Sequence, residues 1–270
     1  FDGKLHKILN LTINDTTGQP AGLFGSVVDG TILNVGVESG SITGTNRVGA
    51  LVGRSDNMTM RNCYSKASVT GSNDIGGLVG MFNNSTMENC FARATVSGNE
   101  SVGGLAGSAN RSVNLALGAT IKNCYSVSNV SAPRFAGTLI GFDESGAGEQ
   151  YKLTFEQLYC DATQTAIGNH TRSEVVMVPS ADITNGTLVT TLNQNAQEGY
   201  AQWLEDNTGY PAFEGKVVIK TSLVGEGSEA SPYLIQNAND LVEMARVVDL
   251  SAEFAQAYYK MTAKIDLYNV

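Results

Sequence analysis

Cysteines are the most reactive side chains in this chain, and three of them recur at one position of a repeated pattern. Cys63, Cys90 and Cys124 each follow an asparagine, in "NCY", "NCF" and "NCY", and Cys160 in "LYCD" is a fourth candidate for the series. None has the C-x-x-C spacing of a zinc site. Two alternatives stay open: a ladder of buried thiols that pack as small apolar groups, or a disulfide between neighbouring copies. Val35 occupies the same position in an earlier copy and favours packing.

The other residues that could act in catalysis are few and scattered. There are two histidines, His6 and His170, and no H-E-x-x-H, G-x-S-x-G or GxxxxGK[ST] motif. A polysaccharide-cleaving site would need two carboxylates within about 10 Å of each other. The acids of the repeat region occupy different phases of the repeat: Asp29, Glu38, Asp56, Asp74, Glu88 and Glu100. We therefore predict no catalytic residue, no metal site and no cofactor.

Composition narrows the class of protein. The 270 residues include 30 glycines and carry a formal net charge of −9. Such a chain has no basic excess to neutralise phosphates, which argues against a nucleic-acid partner. No apolar run approaches the roughly 18 residues of a membrane helix, so no transmembrane segment is predicted. Because the sequence opens at Phe1 without a methionine and in mid-pattern, we expect that an upstream part was removed or is not included here.

A repeat organises the first half of the sequence. Glycine-hydrophobic-glycine stretches start at 21, 49, 76, 103 and 137, as "AGLFG", "GALVG", "GGLVG", "GGLAG" and "GTLIG". The last step is longer and carries an insertion around "SANRSVNLALGAT". The asparagine series keeps the same phase, at Asn34, Asn62, Asn89 and Asn123. Two markers in one phase predict stacked units, each of which buries its inner face against its neighbours.

Within each unit the residues after the asparagine alternate in character. Cys63 and Val69 share one parity with small apolar residues, and Tyr64 and Lys66 fall on the other. Period two is typical of a strand, and about 27 residues with short strands and sharp bends fit one coil of a parallel β-solenoid. Equivalent residues would then stack about 4.8 Å apart in columns. The asparagines would occupy a corner, because asparagine tolerates left-handed backbone.

The opposite parity supplies the candidate binding surface. Tyr64, Phe91 and Tyr125 would form an outward aromatic column, beside Lys66 and Arg93. Flat aromatic rings next to polar groups can stack on sugars or anchor a protein partner. Two alternatives remain: an exposed ligand-binding site, or a strip covered by another segment, such as a helix ending near Trp203.

These motifs resemble the GLUG repeat, which is named for its G-L-hydrophobic-G core. "GGLVG" preceded by "NCY" carries the likeness, and the flanks "FDGKLHKILNLTI" and "LVTTLNQNAQEGYAQWLEDNTGYPAF" are similar to segments that border such arrays. The repeat occurs in bacterial surface proteins, including the non-catalytic region of immunoglobulin-cleaving metallopeptidases. The resemblance implies a right-handed parallel β-helix that is exported, displayed at the cell surface and usually binds rather than catalyses.

We expect three regions. Residues 1–145 would form the GLUG-repeat solenoid, and 146–215 a terminal segment that closes the array, helical around 187–205. Residues 216–270 would start a second array or form a small mixed α/β module, with a helix capped by Asn237 or Asn239 and a last strand at about 258–267.

The preferred function is a non-enzymatic binding module or adhesin, secreted or associated with the outer membrane, that recognises host glycan or glycoprotein. The alternatives are a structural spacer of a larger surface protein and, third, a polysaccharide-active β-helix enzyme. Head-to-tail self-association is a further expectation, since "KIDLYNV" ends where "FDGKLHKI" could continue.

Overall fold

The repeats form a parallel β-helix. The computed structural model describes residues 1–109, 118–147 and 152–263. Every strand of the coils that is paired in the described residues up to Val178 has parallel neighbours from the coil before or after it. The predicted all-β solenoid class is therefore confirmed. The predicted insertion falls largely on residues 110–117, which lie outside the described residues.

Each of the first five coils contributes three to five short strands. The first coil has β1 (Asp2–Ile8), β2 (Leu11–Asn14) and β3 (Phe24–Val28). The second has β4 (Thr31–Val37), β5 (Gly40–Thr43), β6 (Asn46–Gly49) and β7 (Val52–Asp56). The third has β8 (Thr59–Arg61), β9 (Tyr64–Ser65), β10 (Ser68–Thr70), β11 (Asn73–Gly76) and β12 (Val79–Asn83).

The next coils repeat this order. The fourth has β13 (Thr86–Glu88), β14 (Phe91–Ala92), β15 (Thr95–Ser97), β16 (Glu100–Gly103) and β17 (Ala106–Ala109). The fifth has β18 (Ala119–Ser126), β19 (Asn129–Ser131), β20 (Arg134–Gly137) and β21 (Ile140–Asp143), followed by a 3₁₀ turn at Glu144–Ala147.

Like residues lie above like residues along the stack. Ile42, Val69 and Val96 are aligned in register on β5, β10 and β15, and all three are fully buried. Because successive side chains of a strand point to opposite faces, one apolar residue in two is enough to fill the interior. The core of the solenoid is thus a set of apolar columns parallel to its axis.

Glycine makes the bends between strands. A Cβ placed on Gly103, where β16 ends, would lie 1.9 Å from the carbonyl oxygen of Ala106 and 2.6 Å from the nitrogen of Gly141 in the next coil. Gly76 stands in the same relation to Val79 one coil earlier. The glycines of the repeat are therefore required by close backbone contacts, both within a coil and between coils.

Stacking continues beyond the boundary predicted at 145. The strand β22 (Leu153–Asp161) pairs in parallel with β18, and β23 (Val175–Val178) pairs with β22. Between them Ile167 bridges to Ile140. This sixth coil lacks the sequence markers, because Gln157 and Leu158 stand where the earlier coils have asparagine and cysteine.

A short segment follows the last coil and folds back on the solenoid. It consists of α1 (Ser180–Ile183), α2 (Thr187–Gln194), β24 (Ala201–Glu205) and β25 (Pro211–Val217). The helix predicted at 187–205 is wrong beyond Gln194. The Asn193 side chain donates to the backbone oxygen of Trp203 at 2.9 Å and accepts from its nitrogen at 3.0 Å, so the chain reverses and continues as a strand. We call residues 180–196 and 200–216 the cover.

The chain divides into two compact units, Phe1–Ala196 with Tyr200–Lys216, and Gln197–Gly199 with Val217–Val270. Within the second unit the structure describes β26 (Tyr233–Ile235), α3 (Ala238–Leu250), α4 (Ala252–Ala255) and β27 (Tyr259–Met261). Asn237 caps α3 by accepting from the Asp240 nitrogen at 3.1 Å. The strand predicted at 258–267 is seen only at Tyr259–Met261, and 264–270 lie outside the described residues. In the described part of the chain, none of the helices is both long and apolar enough to span a membrane.

Candidate functional site

The predicted aromatic column exists and points away from the solenoid core. Tyr64, Phe91 and Tyr125 are in register on β9, β14 and β18. The Tyr64 and Phe91 rings stack with centroids 4.7 Å apart, and those of Phe91 and Tyr125 lie 5.3 Å apart. Their packing partners form a cluster separate from the core that holds Cys63 and Cys90, so the predicted parity is confirmed.

The column is covered by the chain's own C-terminal segment. The Trp203 ring lies 5.7 Å from both Phe91 and Tyr125, and Phe213 lies 5.3 Å from Phe91. Phe91 is 1% exposed, Tyr125 0% and Tyr64 7%. A ligand cannot reach rings that are buried to this extent. The assignment of these three residues as ligand-binding is therefore corrected: they form a second apolar core between solenoid and cover.

Hydrogen bonds fix both ends of this aromatic core. The Tyr64 hydroxyl donates to Glu38 Oε2 at 2.7 Å, and the Tyr125 hydroxyl donates to the carbonyl of Pro211 in the cover at 2.5 Å. Burial raises the pKa of Tyr64, and the adjacent Glu38 carboxylate raises it further. Burial likewise raises the pKa of Tyr125. Gly36 leaves room for the Tyr64 ring, since a Cβ there would lie 2.0 Å from it.

Lys66 and Arg93, the predicted basic partners of a ligand, instead bind the cover. Arg93 Nη1 contacts Asp206 Oδ2 at 2.5 Å, and Lys66 Nζ lies 3.8 Å from the same oxygen. Lys66 also contacts Glu38 at 2.8 Å, and the Arg93 guanidinium lies 4.3 Å from the centre of the Tyr210 ring. Both cations are thus used within the chain, which corrects their assignment to a ligand.

Asp206 is the anionic centre of this contact. Burial opposes its ionisation, but hydrogen bonds from Thr208 and Arg93 outweigh burial and lower its pKa to about 2. The carboxylate is therefore charged at neutral pH and holds the cover to the basic side of the column.

The four asparagines form the predicted ladder at a corner. Asn34, Asn62, Asn89 and Asn123 have φ of 55°, 55°, 50° and 49°, in the left-handed region. From Asn62 onward, each Nδ2 donates to the Oδ1 of the previous asparagine, at 2.7, 2.9 and 2.8 Å along the series. The chain turns sharply at each rung, and the side-chain amide bonds along the axis.

The same ladder receives the cover. The Ala201 nitrogen donates to Asn62 Oδ1 at 2.7 Å, and Asn89 Nδ2 donates to the Ala201 carbonyl at 3.0 Å. The Trp203 indole N–H donates to Asn89 Oδ1 at 2.7 Å. Sequence reasoning missed this role, because nothing in the repeat indicates which side of the amide faces a distant segment. The spacing of the apolar residues Ala201 and Trp203, two positions apart, was the available signal for a strand.

Of the two alternatives for the cysteines, the structure shows the ladder of buried thiols and not a disulfide. Cys63, Cys90 and Cys124 are free and fully buried in one column. The backbone nitrogen of Cys63 donates to the sulfur of Cys90 at 3.4 Å, and that of Cys90 to Cys124 at 3.3 Å. Burial raises the pKa of Cys63 and Cys90 well above the ordinary thiol value. Cys160 does not join the column, since it aligns with Ser126.

Four of the acids considered for catalysis, Glu38, Asp56, Glu88 and Glu100, contact basic side chains. Glu88 contacts Arg61 at 2.7 Å, and Glu100 contacts Arg134 at 3.2 Å. One more cluster lies at the end of β21, where buried Asp143 contacts His170 at 3.0 Å and Arg172 at 2.9 Å. Among the residues described by the structure, no three His, Cys, Asp or Glu side chains are grouped so that they could hold a metal ion.

Comparisons with known proteins agree with the repeat. A family model described as the GLUG motif matches residues 44–70. A crystal structure at 1.30 Å of a candidate immunoglobulin A1 protease from Bacteroides ovatus is similar, with 18% identity and a TM-score of 0.54, over 80% of this chain and 77% of that one. A search of curated proteins found no match. Residues 44–70 thus carry a GLUG motif, and the chain has the parallel β-helix fold.

Proposed function

We propose that this chain is a rigid, non-catalytic module of an exported protein displayed at the cell surface, and that it acts as a spacer. The observation that carries the proposal is the closure of the aromatic column. Tyr64, Phe91 and Tyr125, which would have formed the binding surface, are buried under Trp203.

The architecture supports a mechanical role. Each coil bonds to both neighbours through parallel strands, and the asparagine ladder adds side-chain bonds along the same axis. The cover joins rungs Asn62 and Asn89 on adjacent coils through one strand. A segment that bonds to several coils at once resists their separation, because its contacts must break together.

Single-molecule force spectroscopy tests the spacer role. The full chain is pulled from its two ends. We expect one force peak that releases the first unit, with a length gain of roughly 3.5 Å per residue. The variant Trp203→Ala should unfold at lower force, and Val28→Ala, an exposed apolar residue in the first coil, serves as the control. Smooth extension of the wild type without a peak would overturn the proposal.

The proposal that the chain does not catalyse needs its own assay, because a structure similar to this chain is named as a candidate immunoglobulin A1 protease. The purified chain is incubated with immunoglobulin A1, and the products are separated by gel electrophoresis. We expect intact immunoglobulin. Fragments that are absent with heat-denatured chain would contradict the proposal.

An adhesin role remains the second candidate. The predicted aromatic surface no longer supports it, since a ligand would have to displace the cover. A different face of the solenoid supports a binding role.

A further inference from the structure

One lateral face of the solenoid carries only small, neutral, polar side chains. It is formed by β2, β5, β10, β15 and β19, which are paired in that order. The middle residues of these strands point inward, and Ile42, Val69 and Val96 are fully buried. The residues on either side of them therefore point outward.

The outward residues form two straight columns along the axis. The first column consists of Thr12, Ser41, Ser68, Thr95 and Asn129. The second consists of Asn14, Thr43, Thr70, Ser97 and Ser131. All are exposed except Ser97, which is half-buried. We call these two columns the hydroxyl face.

A polar cavity lies at the end of this face. It has a volume of about 220 Å³, and Asn129, the last residue of the first column, lines it together with Ser128, Thr138, Gln164 and Thr165. Thr138 Oγ1 donates to Gln164 Oε1 at 2.9 Å. The side chains that line the cavity are neutral, like those of the columns, so the two features form one continuous surface.

The chemistry of this surface selects a class of ligand. Hydroxyl groups both donate and accept hydrogen bonds, which suits a ligand that carries hydroxyl groups of its own. The columns lack the basic residues that an anionic ligand needs, and they have no aromatic rings for stacking, so hydrogen bonds must supply the affinity. Their regular spacing of about 4.8 Å favours a polymer that presents the same groups repeatedly. Each bond contributes little, so affinity must come from many bonds made together.

We propose that the hydroxyl face and its cavity bind a neutral polysaccharide, which lies along the columns and ends in the cavity. This binding site goes beyond the spacer function and does not depend on it.

The test is retention of the full chain on insoluble cellulose, chitin and cross-linked dextran, with a sulfated heparin matrix for comparison. The variant T43V/T70V removes two neighbouring hydroxyls from the second column and keeps the side-chain shape. Its matched control is T59V/T86V, the same change at two neighbouring coils on β8 and β13. Far-UV circular dichroism and thermal melting confirm that each variant is folded.

We expect the wild type to be retained on at least one neutral matrix, including at high salt. T43V/T70V should bind at least about fivefold more weakly, and T59V/T86V should bind like the wild type. The proposal is overturned if the wild type binds no neutral matrix, binds only the sulfated one, or if the two variants bind equally. None of these results bears on the force experiment, which tests the spacer role.

Discussion

Asn62, Asn89 and Asn123 bond along the stack with their amides and also receive the cover. Asn89 does both: it bonds to Asn62 at 2.9 Å, and its Oδ1 accepts from the Trp203 indole at 2.7 Å. Its φ of 50° further restricts which residue can replace it. A single side chain therefore stabilises backbone conformation, stacking and cover attachment.

Asn89→Ala should lower the free energy of unfolding by about 3 kcal/mol or more, measured by urea denaturation. The variant leaves the buried Trp203 N–H without an acceptor and places alanine in left-handed backbone. Asn89→Gly keeps that backbone accessible and should recover about 1 kcal/mol. Asn34→Ala, at the solvent-accessible end of the ladder, is the control. Equal losses of unfolding free energy in Asn34→Ala and Asn89→Ala would contradict this role of Asn89.

Asp206 makes attachment of the cover depend on pH. Its pKa in the folded chain is about 2, below the ordinary value of 3.8. The carboxylate therefore stabilises the fold fully above about pH 4, and this contribution, about 2 kcal/mol, is lost as the pH falls towards 2. Asp206→Asn should lower the free energy of unfolding by the same amount at neutral pH. At pH 2 the stability of the variant should differ little from that of the wild type.

Fluorescence of Trp203, the sole tryptophan, reports the release of the cover in this experiment. Glu205→Gln, which removes an exposed carboxylate from the same segment, is the control and should leave the transition unchanged. If the free energy of unfolding differs between wild type and Asp206→Asn by the same amount at every pH, this role of Asp206 is ruled out.

At the scale of elements, glycine sets how tightly one strand can bend into the next. At the bend after β16, a Cβ on Gly103 would lie 1.9 Å from the Ala106 carbonyl oxygen and 2.6 Å from the Gly141 nitrogen of the following coil. No side chain fits between these backbone atoms. The glycine-hydrophobic-glycine signature is therefore a requirement of the corner and not of a ligand.

Gly103→Ala should lower the free energy of unfolding by about 3 kcal/mol or more. The added methyl group would overlap backbone atoms that cannot move without separating the coils. Gly98→Ala is the comparison, since its Cβ would meet side-chain atoms of Ile75 and Val102 at 2.9 and 3.0 Å and one backbone atom, the Ser72 oxygen, at the longer distance of 3.2 Å. Urea denaturation and soluble yield compare the two. Equal losses would show that the corner is not the limiting contact.

At the scale of the whole molecule, the two units have separate interiors. The first is built on the solenoid core and the aromatic cluster under the cover. In the second, Ile235 and Val247 are buried, and the Tyr233 and Phe254 rings stack at 5.5 Å. Each unit can therefore unfold by itself.

A chain shortened to residues 1–217 should keep the melting temperature of the first unit and the fluorescence of its Trp203. The full chain should show an additional transition by calorimetry, from the second unit. If the shortened chain exposes Trp203 or fails to fold, the second unit is needed for the stability of the first.

The sequence by itself determined the stack. Repeated glycines, asparagines and alternating small apolar residues specify short strands and fixed corners, and each coil can bury its inner face only against an equivalent neighbour. The parallel β-helix, the inward cysteines and the asparagine ladder could be predicted for this reason. Local pattern and period carry all of that information.

Only the tertiary structure decided what the outward residues do. Tyr64 and Arg93 have the same sequence pattern whether they face solvent or a cover, because the residues that bury them lie more than a hundred positions away. The sixth coil was missed for a related reason: Gln157 and Leu158 keep the backbone path of the stack but not its sequence markers. Long-range contacts, which leave no period in the sequence, determined which surface is closed and which remains open.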